Sequence, residues 1–278
     1  MSVLIYDIFH ILQFPTSEQD WERIAKSFEV KCNFPNCLSA VDGKHVAIVP
    51  PPGAGSYFFN YKGYNSQVLI GISDSNYEFI YFNIGTNGRV SDGGVSEYTD
   101  FYDKLQNECL KIPESSDVKE RKLPYVFVGD EAFSLRKDFL RPYKVKHLTR
   151  ERKIFNYRLS RARRTIENIF GILVARFGIF KTHIIIQLDN IKDVVMASCA
   201  LRNFLRRISP YTYTTSECFD IEDLENGTVT AGLRSHPSSM ATLKRGNRNH
   251  QLTGKEVRNQ FVEYFNNKGK VPWQDNCV

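Results

Sequence analysis

The sequence predicts an α/β domain, a mixed five-stranded sheet flanked by helices, and three observations carry that expectation. Apolar runs rich in Val and Ile at residues 40–49, 67–73 and 79–84 follow one another with turn residues between them, as in an antiparallel meander. Beyond residue 95 the pattern changes to an alternation of helix-like and strand-like segments. The stretch from Phe155 to Phe177 then places Leu159, Ala162, Ile166, Ile169, Phe170, Leu173 and Phe177 at three- and four-residue steps, the apolar stripe of one long amphipathic helix.

Taken in order, Ser2 to Leu12 reads as an amphipathic helix stopped near Pro15. Asp7 and His10 interrupt its apolar run, and no basic leader flanks it, so a secretory signal is not expected. Thr16 or Ser17 caps a second helix whose inner face is Trp21, Ile24, Ala25 and Phe28. The three strands follow, with turns at residues 50–55 and 74–76, and then the glycine-rich GTNGRVSDGG. A helix is expected over Val95–Leu110, a surface loop over 113–122, a buried strand over Tyr125–Val128, a helix over Phe133–Leu140 and a short strand near 145–148. After the long helix comes another, Asn190–Arg207, with Ile191, Val194, Val195, Ala197, Ala200, Leu201, Phe204 and Leu205 turned inward. Residues 209–249 show no periodicity and read as flexible, and a last helix, Gly254–Asn267, presents Val257, Phe261, Tyr264 and Phe265 for docking together with Trp273. The expected division is an N-terminal helical segment (1–32), a main domain (33–207) and a C-terminal extension (208–278).

The chain's 278 residues are 42% hydrophobic and 24% charged, the balance of a soluble globular protein with a real core. No stretch reaches the ~20 apolar residues that a spanning helix needs. The formal charge is +6, and residues 136–164 are dense in Lys and Arg with only Asp138 and Glu151 as acids, a candidate phosphate-binding surface. The six cysteines are scattered without metal-site spacing and read as reduced thiols of a nuclear or cytoplasmic protein.

Three carboxylates stand out. Asp42 is embedded in a strand, Asp130 directly follows one, and Glu167 lies off the stripe of the long helix, with Arg163 and Arg164 one turn back and Gly171 one turn forward. A charge in or capping an apolar strand is costly unless it is paired, hydrogen-bonded or coordinated, and three such acids would suit divalent metal ions. On an arbitrary helix Glu167 would be an ordinary exposed partner of arginine. Asp92, between glycines, reads equally as a turn residue or a further acid of the site. His45 reads as a satisfied strand histidine. Lys62, Arg158, Arg161, Arg163 and Arg164 are candidate phosphate-binding cations.

The segments VDGKH, YFFNYKGYNSQVLIGISD, GRVSDGGV, YVFVGDEAF, LRPY, FNYRLSRARRTIENIFG and RFGIF, spread in order from Asn33 to Leu205, resemble the catalytic domain of PIF/Harbinger transposases and the nucleases derived from them. The resemblance implies an RNase H-like fold, whose β-β-β-α-β-α-β-α order matches the elements above and sets the first strand beside the fourth. It implies an Asp-Asp-Glu triad at Asp42, Asp130 and Glu167, with Asp92 as a fourth acid in a family motif. It also implies two Mg²⁺ or Mn²⁺ ions and cleavage of DNA phosphodiester bonds, with Asp42 bridging the ions. Leu201-Arg202-Asn203 departs from the family's Leu-His-Asn. The resemblance further implies a Myb/SANT-like partner protein that reads DNA and promotes nuclear entry, with the chain also cytoplasmic without it, and it leaves room for an oligomer. The residues preceding the domain are too few for a complete DNA-reading module, which keeps alive a second reading, a retired transposase serving as a nuclear DNA- or protein-binding adaptor. An RNase H-type enzyme acting on RNA–DNA hybrids is a third.

Overall fold

The structure, a computed structural model, describes residues 12–88, 99–146, 148–236, 238–244 and 252–278. The predicted helix Ser2–Leu12 falls almost wholly outside these residues, as does Asp92. Helix α1, Glu18–Cys32, begins at a reciprocal cap: the Ser17 hydroxyl accepts from Asp20 N–H while the Asp20 carboxylate accepts from Ser17 N–H. It ends at Asn33, held in the left-handed region at φ 54°. Trp21, Ala25 and Phe28 are its buried face, and Trp21 Nε1 donates to Leu110 O at 2.7 Å.

Strands β1 (Cys37–Ala47), β2 (Ser66–Ser73) and β3 (Phe79–Asn87) form the predicted antiparallel meander. A short helix α2 (Asp100–Gln106) follows, and the charged stretch read as a loop contains a hairpin, β4 (Ser116–Val118) with β5 (Arg121–Leu123). Strand β6 (Val126–Val128) then lies parallel to β1, and β7 (Phe139–Leu140) parallel to β6, giving the order β3-β2-β1-β6-β7. The expected neighbouring of the first strand with the strand before Asp130 is therefore observed. The helix predicted over Phe133–Leu140 is not formed. Phe133 and Phe139 stack on each other beneath Phe127, and Arg141 Nη1 donates to Glu131 O and Phe133 O, so the segment folds as a compact turn ending in β7. That two-residue strand takes the fifth place in the sheet, in place of residues 145–148.

Both faces of the sheet are covered, which is why its strands read as near-continuous apolar runs. Leu38, Val41, Val68, Ile70, Ile72 and Phe127 pack with Trp21 and Phe101 on one face. Ala40, Val46, Leu69, Phe79 and Val128 point to the other, beneath the long helix α3 (Arg150–Arg176, capped by Thr149) and α4 (Leu188–Ile208). Asn203 ties α4 to the edge strand, accepting from Phe79 N–H at 3.0 Å and donating to Phe79 O at 2.7 Å. The neighbouring Arg202 is wholly buried, with its guanidinium on Tyr77 O.

Of residues 209–249, expected to be flexible, the described ones, 209–236 and 238–244, are folded, and 245–249 lie outside the described residues. A turn of helix α5 (Pro210–Tyr213) leads to a hairpin of β8 (Ile221–Asp223) and β9 (Thr228–Thr230), and β10 (Ala241–Thr242) pairs antiparallel with β1 as a sixth strand of the main sheet. Buried charge pairing supplies what apolar periodicity did not signal. Helix α6 (Leu252–Asn266) docks as predicted, burying Phe261, Tyr264 and Phe265, with Phe261 stacked on Phe34 at 5.4 Å between centroids. Among the described residues no helix is long and apolar enough to cross a membrane.

Candidate active site

Side-chain alternation along β1 places Asp42 and Lys44 on the same face as Ala40 and Val46, the face covered by α3. The parallel ladder of β1 with β6 pairs Ala40 with Val128. Continuing that register two residues past the end of β6 brings Asp130 alongside Asp42. Helix α3 crosses above, and Asp42, Asp130 and Glu167 line one cavity of about 320 Å³.

The three acids are not equally satisfied. Asp42 is buried, 1% exposed; its Oδ1 accepts from Gly43 N–H at 2.8 Å. Lys44 Nζ lies 2.8 Å from Oδ2, close enough for charge pairing, but its geometry is not that of a hydrogen bond and Oδ2 has no donor. Asp130 accepts from Ala132 N–H at 2.8 Å. Burial first, and then the charge of Asp42, push its carboxyl up to about 6, against the weaker opposing pull of Arg163 and Lys44. Glu167 is held by Arg163 Nη2 at 3.0 Å, the helical i,i+4 pair, and by Arg234 Nη1 at 3.3 Å.

The donor set fits a divalent cation at Asp42 and Asp130: hard carboxylate oxygens, one buried and without a donor, the other unwilling to ionise beside it. Glu167 is diverted toward its two arginines, and among the described residues no three His, Cys, Asp or Glu side chains are gathered closely enough to hold a metal ion. Asp92 lies outside the described residues, so it joins no geometry here.

The basic candidates separate. Arg158 is 2% exposed and spends its guanidinium on Gly269 O, Gln274 Oε1 and Asn33 O, beneath the Phe265 ring. Arg161 and Arg164 both bind Glu222 of the β8–β9 hairpin. Arg163 faces the cavity through Glu167. Arg158, Arg161 and Arg164 of the basic run are thus turned inward, because the same spacing that groups cations on a helix also aims them at acids arriving from distant segments, whereas Lys137, Lys144, Lys146, Arg150, Arg152 and Lys153 of that run are exposed. Lys62 alone of the five is exposed, over the Tyr61 ring at 5.4 Å. His45 is buried, its Nδ1 2.9 Å from Ser66 Oγ.

Two cations of the cavity, Lys44 and Arg234, escaped the sequence reading. Lys44 had a signal, since strand alternation puts it beside Asp42. Arg234 had none, standing 67 positions beyond Glu167 in a stretch without periodicity.

The sheet order, with one acid on β1, a second just past the end of the parallel β6 and a third on the helix laid across them, defines an RNase H-like fold of the DDE type. The family described as DDE superfamily endonuclease matches residues 41–203, more than half of the chain, and the chain belongs to that family. This bears out the resemblance carried by the separated motifs. The chain is also similar to a protein named Protein ALP1-like from Arabidopsis thaliana, at 24% identity over 256 residues, 88% of this chain. It spans 60% of the length of that relative. No solved structure matches the chain.

Proposed function

We propose that the protein is a divalent-metal-dependent endonuclease of transposase descent that cuts DNA phosphodiester bonds. The observation that carries this reading is the buried Asp42 Oδ2, paired in charge with Lys44 but accepting no hydrogen bond, beside an Asp130 whose carboxyl is pushed up to about 6. Bound Mg²⁺ or Mn²⁺, two ions in the family's arrangement, would supply activation of the attacking water and neutralisation of charge on the leaving oxygen. Asp42 and Asp130 would hold the ions from the sheet, and Glu167 from α3 once its arginines yield. Lys44 and Arg163, already in the cavity, are placed to neutralise phosphate oxygens of the scissile strand. Lys62 would contact backbone phosphate outside it.

Plasmid nicking in Mg²⁺ or Mn²⁺ tests the reading. Wild type is expected to nick and Asp130→Asn to lose nearly all of that activity. Equal nicking by both would assign the cleavage to a contaminant and remove the reading.

One observation favours a second reading, a retired transposase acting as a nuclear DNA- or protein-binding adaptor. Glu167 is paired twice, a state in which it serves structure and not metal. DNA binding without nicking in either metal would select it. Under both readings the chain works in the nucleus with a Myb/SANT-like companion, and co-purification of such a protein from nuclear extract is the corresponding check.

A further inference from the structure

The cavity has a wall that does not come from the family-matched region. Residues 232–236 and 238–242, beyond the matched 41–203, run across α3 and along β1, and Leu233, Arg234, His236, Ser238, Met240 and Thr242 all line the cavity. The segment is fastened at both ends. On the α3 side Asp220 accepts from Gly232 N–H at 3.1 Å and grips Arg234 Nε with both carboxylate oxygens at 2.8 and 2.7 Å. On the sheet side Thr242 pairs with Lys44 in the β10–β1 ladder, and Tyr61 Oη donates to Thr242 O at 2.9 Å. Ser239 Oγ donates to Phe180 O between them. The strap sits where it does because position 171 is glycine. A Cβ there would lie 2.5 Å from Arg234 Cα and 2.6 Å from Arg234 N, both backbone atoms that cannot swing aside.

Its seating delivers one cation to one acid. Held by Asp220, Arg234 reaches 3.3 Å to Glu167 Oε2, while Arg163 takes Oε1. With Lys44 on Asp42, the cavity contains three carboxylates and three cations, and the chain's own side chains neutralise it.

We propose that Arg234 and its strap are a built-in competitor of the metal: Arg234 occupies Glu167 in place of a cation, and divalent-ion binding at Glu167 is linked to release of residues 232–242. This rests on the metal-dependent reading of the site. Linkage requires the reciprocal effect, so whatever unseats the strap strengthens metal binding. A partly exposed ion pair of this kind holds about two- to fivefold in affinity.

The test titrates the full-length protein with Mn²⁺ alone and follows the electron paramagnetic resonance signal of free Mn²⁺. Two variants act by different routes. Arg234→Ala removes the competing charge, and Gly171→Ala ejects the strap by contact with its backbone while favouring the α3 helix itself. Both are expected to bind Mn²⁺ about two- to fivefold more tightly than wild type. In wild type, amide hydrogen exchange across residues 232–242 is expected to speed up on adding Mn²⁺. Unchanged or weaker Mn²⁺ binding in both variants, with native circular dichroism, overturns the inference. So does exchange at 232–242 that slows on metal addition, which would make the strap a part of the loaded site. Asp130→Asn in the same titration separates the two levels. Loss of Mn²⁺ binding there with no gain in Arg234→Ala sinks the strap inference alone, whereas undiminished binding in Asp130→Asn removes the metal reading beneath it.

Discussion

Helix α3 meets carboxylates on two sides, and the two meetings have opposite electrostatics. Glu222, arriving from the β8–β9 hairpin, receives Arg161 Nε at 2.8 Å, the Arg164 guanidinium and the Tyr157 hydroxyl. Burial alone would raise its carboxyl, but Arg164, Tyr157 and Arg161 outweigh burial and leave it below the ordinary glutamate value. A few turns along, Asp42 and Asp130 share a cavity where burial and mutual repulsion win, and the Asp130 carboxyl rises to about 6. The ingredients are the same, arginines on a helix and acids from elsewhere in the chain. One cluster is complete and holds the C-terminal extension in place. The other is short of hydrogen-bond donors at Asp42 Oδ2 and borders a cavity, and on that shortage the proposed function rests.

Four experiments break or sharpen this contrast. The largest effect is on cleavage: Asp42→Asn or Asp130→Asn should lower the nicking rate at least about 10³-fold, roughly 4 kcal/mol of barrier, with circular dichroism unchanged. Nicking that persists within tenfold of wild type would place these two acids in the structural class with Glu222.

Next, Glu222→Ala should destabilise the fold by about 3 kcal/mol in urea unfolding, because it strands two largely buried arginines. A change under about 0.5 kcal/mol would show that the extension is held by other contacts.

The third effect has the opposite sign. Asp130→Asn should stabilise the metal-free protein by about 1–2 kcal/mol near neutral pH, since it removes a charge the fold disfavours. The pH dependence separates the two clusters. Asp130's folded value lies above its ordinary 3.8, so its charged form costs stability, a cost that is absent below 3.8 and accumulates as pH rises through about 6. Glu222's folded value lies below 4.5, so its contribution is present above 4.5 and is lost on acidification through its lowered value. The stability gap between wild type and Asp130→Asn should therefore widen from pH 4 to pH 7, and a gap independent of pH would remove the repulsion account.

The smallest effect concerns DNA. Lys62→Ala should weaken binding two- to threefold and reduce the salt slope by about 1, whereas Arg161→Ala should register in unfolding and leave the slope unchanged. A salt slope that responds to Arg161 would return the basic run to the surface.

Much of this was legible in the primary structure. The meander of β1 to β3, the Ser17 cap, the stripe of α3 and the docking face of α6 follow from period, capping and turn chemistry, which act between residues close in the chain. Asp42 and Asp130 were legible because an ionised group in or capping a strand is costly, so its presence asks for a partner, whereas Glu167 stood out through the family resemblance. The misread parts share a cause. The segment from Phe133 to Leu140 has helical spacing, but its aromatics are claimed by Phe127 on the sheet, and packing overrides a weak local preference.

The sequence by itself determined the meander, the long helix and the family, and it nominated the acids, since these rest on local pattern and on residue types that carry their chemistry anywhere. Only the tertiary structure decided which charges meet. It sent Arg158, Arg161 and Arg164 inward, left Asp42 without a second donor, and brought Arg234 across 67 positions to Glu167. Electrostatic pairing depends on separation in space and on the loss of water around the pair, and neither quantity has a period along the chain.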